Sequence, residues 1–192
     1  MPNEDKIQLL ARVARSKSGP ALSGDPEVVI SILSLAAASY GARPADEATV
    51  PTGFDPLAVA LFEAIVEGAY LVASADGVFD AEERKAFEKV VTTACGGAVS
   101  AKQISGLVDD LADQLREDGL DGRIRAVAAQ VHKKEHAREV LRIAALLAHS
   151  SEDVSPVERL TLHKLAAALQ LDSAEVDEAL VEVKKELAVG TA

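Results

Sequence analysis

Residues 70–87 read Y-L-V-A-S-A-D-G-V-F-D-A-E-E-R-K-A-F. An apolar helical run ends near Ala75, and Asp76-Gly77 supplies an acid and a glycine of the kind found in turns. Asp80 then offers a side-chain acceptor for the start of a second helix, and Glu83 stands three residues later, at the capping-box position. The stretch therefore predicts a helix–turn–helix corner with several carboxylates at the bend.

The same corner recurs further along the chain. Residues 148–159 read A-H-S-S-E-D-V-S-P-V-E-R, and a shift of 75 places Glu83 on Glu158 and Arg84 on Arg159. An internal repeat predicts two related halves, at about 57–118 and 132–187. We expect the halves to pack face to face about a pseudo-twofold axis, with their apolar helices at the centre.

Helical periodicity runs through most of the chain, and Ala, Leu, Val and Glu dominate it. These patterns predict an all-α bundle of about seven to nine helices. Residues 1–50 are expected to form an N-terminal helical pair and a linker, and residues 51–192 a helical domain that contains the repeat. Within the first segment, Asp25-Pro26 predicts the start of an apolar helix over Val28–Tyr40.

Charge and composition narrow the class of function. Lys and Arg number 20 against 31 Asp and Glu, and the resulting charge of −11 disfavours nucleic acid and anionic membrane surfaces as partners. Cations and proteins with basic surfaces fit better. The single cysteine, Cys95, excludes an internal disulfide. Without a signal-peptide pattern or a long uncharged apolar run, the sequence predicts a soluble cytoplasmic protein with no direct membrane insertion.

The two corner sequences, A-S-A-D-G-V-F-D-A-E-E-R and A-H-S-S-E-D-V-S-P-V-E-R, resemble the TerB-like family, which is named for bacterial tellurite-resistance proteins and also occurs fused to co-chaperone J domains. The resemblance covers roughly Leu57 to Leu187. It implies a non-enzymatic cytoplasmic module with a divalent-metal-binding acidic patch, linked to stress-response operons and to membrane-associated or phage-defence complexes. Ser151-Glu152-Asp153 departs from the family pattern by replacing Asp-Gly in the second corner.

The acidic corners are the candidate cation site. The pattern argues against an isolated EF-hand, because Val72 and Ser74 fall where the first two loop carboxylates belong. A shared site for Ca²⁺, Mg²⁺, Mn²⁺ or Zn²⁺ would draw oxygens from both corners. Its candidate ligands are Asp76, Asp80, Glu83, Glu152, Asp153 and Glu158.

A simpler interpretation of these residues stays open. Asp80, Ser155 and the two glutamates Glu83 and Glu158 are also the residues that helix capping requires. The remaining acids lie before the caps and fit solvated turns. Three histidines also suit solvated or turn positions better than a metal site: His132, His136 and His149.

The functional prediction is therefore a non-enzymatic module that binds a divalent cation weakly and docks onto protein partners. The alternative is a metal-free helical scaffold in which the apolar helix Val28–Tyr40 mediates self-association, which makes a homodimer possible. A metal-dependent hydrolase is a distant rival, because the sequence has no phosphate loop, nucleophile elbow or H-E-x-x-H motif.

Overall fold

The computed structural model describes residues 4–16, 31–42, 55–77, 79–149 and 154–190. This part of the chain is all-α, as predicted, and contains eight helices. They are α1 (Glu4–Ala14), α2 (Ile32–Gly41), α3 (Pro56–Ala73), α4 (Ala81–Ala94), α5 (Ala101–Gln130), α6 (Lys134–Ala148), α7 (Pro156–Ala168) and α8 (Ser173–Gly190).

Helices α3 and α6 form the centre of the bundle and contact each other more extensively than any other pair. Gly68 makes the close approach possible, because a Cβ at this position would lie 2.8 Å from Val140 Cγ1 on α6. Helix α3 has a mean hydropathy of 1.7, enough by length and composition to cross a membrane, but 67% of it is buried inside the protein. It therefore serves as the core helix of the bundle.

The two halves repeat each other in detail. Helices α3, α4 and α5 correspond to α6, α7 and α8, and in each half the third helix packs on the first two. Ser74 and His149, 75 residues apart, both end a central helix as its C-cap. The Ser74 hydroxyl donates to Tyr70 O at 2.7 Å, and His149 Nδ1 lies 2.8 Å from Ala145 O, which is the equivalent carbonyl.

Helix α1 has a counterpart at the end of α5. A shift of 117 residues places Ile7 on Ile124 and Leu10 on Val127, and all four side chains are buried. Glu4 of α1 pairs with Lys89 on α4, and Asp121 of α5 pairs with Lys164 on α7. The two lysines are themselves related by the shift of 75. Helix α1 thus occupies in the first half the place that the end of α5 occupies in the second.

One helix boundary differs from the predicted one, and one helix is interrupted. Helix α2 begins at Ile32, because Ser31 has an extended backbone and caps it, so the predicted helix does not run unbroken from Val28; residues 25–30 lie outside the described residues. Helix α5 is one element that is interrupted at Gly119, where the backbone has φ 68° and ψ 166°. Helix α6 begins at Lys134.

The first two helices belong to the same hydrophobic core as the rest of the bundle. Leu10 and Ala37 are fully buried, and α2 packs mainly on α3. The linker predicted at the end of residues 1–50 lies, beyond Ala42, outside the described residues. The division of the chain near residue 50 into two parts stays a prediction.

Candidate functional site

The first acidic corner lies at the exposed turn between α3 and α4. Asp76 and Gly77 are solvent-exposed. Gly77 has φ 80°, a conformation that glycine adopts without strain, and its N–H donates to Ser74 O at 3.0 Å. The turn thus places Asp76 at the surface of the bundle.

Asp80 and Glu83 form a complete capping box at the start of α4. Asp80 Oδ1 accepts from the N–H groups of Glu82 at 2.8 Å and Glu83 at 2.9 Å. Glu83 Oε2 accepts in return from the Asp80 N–H at 3.0 Å. Both carboxylates therefore cap α4. From the sequence alone, capping and metal binding were alternative roles for them.

Three aromatic side chains pack together between the two helices of this corner. Tyr70 on α3, Phe79 in the turn and Phe87 on α4 make mutual edge-to-face contacts with ring centroids 5.2, 5.9 and 6.2 Å apart. Such contacts add to the stabilisation from burial. They fix the angle between α3 and α4, and with it the position of the carboxylates.

The second corner repeats the capping box, with Ser155 in the place of Asp80. Glu158 Oε2 accepts from the Ser155 N–H at 2.7 Å, and Ser155 Oγ accepts from the Glu158 N–H at 3.2 Å. Glu152 and Asp153 lie outside the described residues. Among the residues that are described, no three His, Cys, Asp or Glu side chains group closely enough to hold a metal ion. The candidate ligands Asp76, Asp80, Glu83 and Glu158 therefore do not by themselves make a metal centre.

Equivalent arginines follow both capping boxes and tie each half together. Arg84 Nη1 contacts Asp109 Oδ1 on α5 at 2.7 Å, and Arg159 Nη1 contacts Asp177 Oδ1 on α8 at 2.7 Å. Arg84 also bonds Glu88 and the Ser105 carbonyl. Its guanidinium holds the pKa of the Asp109 carboxyl below the ordinary value, chiefly through that hydrogen bond. These arginines are structural links rather than ligand contacts.

Two buried ion pairs flank the central helices, and neither was predicted from the sequence. Arg123 Nε donates to Glu67 Oε1 at 2.6 Å, with the Glu67 side chain 4% exposed. Arg142 Nε donates to Glu139 Oε2 at 3.0 Å, with the Glu139 side chain fully buried. Each charge is paired, as burial in an apolar core requires. The sequence did contain one signal for these ion pairs: Glu67 and Arg142 are charged residues at the same position of the repeat, within otherwise apolar helices.

An acidic cleft of about 330 Å³ lies between α6 and α8. Arg138 Nε donates to Glu175 Oε2 at 2.6 Å and, with Lys134, holds the pKa of the Glu175 carboxyl below its ordinary value. Glu178 and Glu182 are exposed at the same cleft. Its charged lining consists of five glutamates and two arginines: Glu135, Glu139, Glu175, Glu178, Glu182, Arg138 and Arg142. Sequence reasoning missed this surface, because its members come from two helices about 40 residues apart.

The histidines occupy separate places. His149 is the C-cap of α6, which confirms its interpretation as a turn residue. His132 and His136 lie beside a groove between α2, α3 and α6. Burial lowers the pKa of His136 below the ordinary value, and the nearby Lys133 charge lowers it further.

A model of a known protein family matches most of the helical repeat region. The family model described as tellurite resistance protein TerB matches residues 62–181, which is more than half of the chain and includes both corners. No curated protein and no solved structure matches the chain. With the all-α repeat and the matched region taken together, the chain belongs to the TerB family.

Proposed function

We propose that this TerB-family chain is a non-enzymatic cytoplasmic module that docks onto proteins with basic surfaces. The observation that carries the proposal is the acidic cleft between α6 and α8, where five glutamates meet two arginines. The whole chain carries a charge of −11, so its surface field attracts cationic partners before contact. Charge complementarity of this kind sets partner choice and association rate.

Glu178 and Glu182 are the residues that would meet the partner. They lie one turn apart on the exposed side of α8, and neither forms a hydrogen bond or ion pair with the residues that the structure describes. Lysine or arginine side chains of a partner can therefore pair with them without breaking an existing contact. The deeper Glu139 is already satisfied by Arg142 at 3.0 Å and stabilises the wall of the cleft.

The docking proposal is tested by placing a photo-crosslinking residue at Val181, a 68% exposed residue of α8 between Glu178 and Glu182, and identifying what it captures in the source cells. The captured protein is then purified and its binding measured at about 50 and 200 mM salt. We expect binding to weaken as salt rises, and to be lost when Glu178 and Glu182 are both changed to Lys. Asp110→Lys with Glu117→Lys, exposed acids on α5, is the matched control. The proposal would be overturned if the control variant lost as much binding, or if binding did not change with salt concentration.

We also propose weak binding of Ca²⁺, Mg²⁺, Mn²⁺ or Zn²⁺ at the acidic corners. Asp76 is exposed at the first turn, and the capping box there uses only Oδ1 of Asp80 and Oε2 of Glu83. The second oxygen of each capping carboxylate is left for a cation whose other ligands are water. Glu152, Asp153 and Glu158 are the proposed contribution of the second corner. With so few protein ligands, we expect a dissociation constant of roughly 10⁻⁴–10⁻³ M.

The competing proposal is a metal-free scaffold, which the two complete capping boxes favour. Thermal melts of chelator-treated protein, with each cation at about a hundredfold excess over its dissociation constant, separate the two. A bound cation stabilises the folded state by about 2.7 kcal/mol under that condition, which raises Tm by several degrees. We expect Asp76→Asn to remove the shift, while Asp172→Asn, an exposed acid at the start of α8, keeps it. If none of the four cations changes Tm, the result contradicts the cation site and supports the metal-free scaffold.

A further inference from the structure

The buried guanidinium of Arg142 contacts both the acidic cleft and helix α1. In the cleft between α6 and α8 it lies beside Glu139, whose carboxylate accepts from Nε at 3.0 Å and from Nη2 at 3.3 Å. On its other side it donates to the end of α1, from Nη1 to Val13 O at 3.1 Å and from Nη2 to Ala14 O at 2.9 Å. One cation therefore connects the proposed docking site to the first helix.

A second carboxylate close to Arg142 has an oxygen that is not in use. Glu186 lies one turn beyond Glu182 on α8, and its Oε2 atom is buried without a hydrogen-bond partner among the residues that the structure describes. This oxygen is 3.8 Å from Arg142 Nη1, which is beyond hydrogen-bond distance. Nη1 thus lies between two acceptors, Val13 O and Glu186 Oε2, and bonds only the first.

Helix α1 is expected to open locally, ahead of the central helices. It has 11 residues, fewer than the roughly 12–15 at which an isolated helix becomes stable in water, so its helical state depends on its packing against α4, α6 and α8. Lys89 pairs with Glu4 at its start, and Arg142 holds its last carbonyls. Short terminal elements of this kind open at lower free energy than the core.

Release of α1 would change the charge that a partner meets in the cleft. While α1 is packed in place, carbonyls at the negative end of its dipole accept two of the hydrogen bonds that Arg142 donates. Without these carbonyls, Nη1 is free to turn towards Glu186, and only carboxylates of α6 and α8 compensate the positive charge. The cleft is then less negative, so Glu178 and Glu182 attract a basic partner less strongly.

We propose that binding of a basic partner in the acidic cleft and packing of α1 favour each other through Arg142. The inference rests on the proposed docking function of this cleft and adds its regulation. Coupling between two sites is reciprocal, so a bound partner should protect α1 from opening by the same factor by which loss of α1 weakens the partner. We expect a factor of roughly 5 to 20, in the lower part of the range for coupled sites.

The probe is hexalysine, titrated calorimetrically into the full chain at about 50 mM salt, where exposed charges are only partly screened. Glu178→Lys with Glu182→Lys should weaken its binding at least about tenfold, which locates the probe in the cleft. The matched control, Asp110→Lys with Glu117→Lys on α5, should weaken it much less.

Hydrogen exchange of the unmodified protein measures the coupling directly. Saturating hexalysine should slow exchange of the α1 amides from Ala11 to Ala14 by the coupling factor. The amide of Leu165, a fully buried residue of α7, serves as the reference and should keep its rate.

A matched pair of variants on α1 tests the coupling from the other side. Leu10→Asp places a charge at a fully buried side chain and should release α1, whereas Gln8→Asp makes the same change of charge on the exposed face of the helix. The added negative charge alone would tighten hexalysine binding slightly in both variants. We expect instead that Leu10→Asp binds hexalysine roughly 5-fold to 20-fold more weakly than Gln8→Asp. The exchange measurement decides the question if Leu10→Asp does not fold.

The possible failures separate the coupling from the docking function. If hexalysine binds in the cleft but leaves the exchange of α1 unchanged, or if Leu10→Asp binds it as tightly as Gln8→Asp does, the coupling is overturned and the docking function stands. If hexalysine does not bind, or if Glu178→Lys with Glu182→Lys leaves its binding intact, the docking function is overturned and the coupling with it.

Discussion

Glu67 on α3 and Arg142 on α6 occupy equivalent positions in the two halves, 75 residues apart, and carry opposite buried charges. Glu67 accepts from Arg123 near the end of α5. Arg142 donates to the carbonyls of Val13 at 3.1 Å and Ala14 at 2.9 Å, at the end of α1. Glu67 thus holds the end of α5 against α3, and Arg142 holds the end of α1 against α6. These two helix segments occupy equivalent places in the two halves. Glu67 and Arg142 therefore make equivalent helix contacts in the two halves, but their side chains have opposite charges.

Arg142→Met should destabilise the fold by about 3–5 kcal/mol, because it leaves the fully buried Glu139 carboxylate without its partner. It also frees the last carbonyls of α1. The double variant Glu139→Leu with Arg142→Met should recover part of that loss, since no unpaired charge remains. Urea denaturation measures both. A single-variant loss below about 1 kcal/mol, or a double variant no better than the single, would argue against the anchor.

Gly68→Ala should destabilise by about 1–3 kcal/mol, because the new Cβ would lie 2.8 Å from Val140 and 3.4 Å from Leu165. The matched control is Gly106→Ala. Gly106 is an exposed residue of α5 where a Cβ would meet no atom within 4 Å, so alanine there should stabilise by roughly 0.5–1 kcal/mol. Opposite signs in denaturant melts are the expected result. Equal effects would mean that α3 and α6 do not pack this closely.

The two equivalent arginines should differ in their contribution to stability. Arg84 bonds Asp109, Glu88 and Ser105, and its side chain is 31% exposed; Arg159 bonds Asp177 alone among the described residues and is 50% exposed. We expect Arg84→Ala to cost about 1 kcal/mol and Arg159→Ala less than about 0.5 kcal/mol. Paired urea melts at low and high salt check the order. A larger loss from Arg159→Ala would contradict it.

Cys95 should behave as an inert core thiol. Burial raises its pKa from 9.0 to about 12. At pH 8 the native protein should therefore react with a disulfide reagent far more slowly than the urea-unfolded protein. Above about pH 9 the unfolded thiol ionises and the folded one does not, so stability should fall as pH rises towards 12. Cys95→Ala should reduce that slope, and native reactivity close to that of the unfolded chain would contradict the burial.

The local features of the fold were predictable from sequence because caps and turns are short-range. Asp80 with Glu83 and Ser155 with Glu158 stand at capping-box spacing, and the structure forms both boxes. The shift of 75 likewise predicted α3 and α6 as the central pair, since repeated apolar helices bury each other.

Long-range features were not predictable in the same way. The sequence of α1 resembles the end of α5 over only a few residues, at a shift of 117. This resemblance became visible only from the contacts of α1 with α4. Arg142 finds its carbonyl partners 128 and 129 residues away. At the candidate site, the acidic residues could be read from the sequence but caps could not be distinguished from ligands, because one carboxylate can do both through its two oxygens.

The most direct measurement of the proposed cation site is a titration of ¹⁵N-labelled protein with Mn²⁺, whose unpaired electrons broaden nearby amide signals. A cation at the first acidic corner should broaden the amides of Asp76, Gly77, Asp80 and Glu83 first, and Asp76→Asn should abolish the effect. Broadening centred instead on Glu178 and Glu182, or broadening that Asp76→Asn leaves unchanged, would contradict a cation site at this corner.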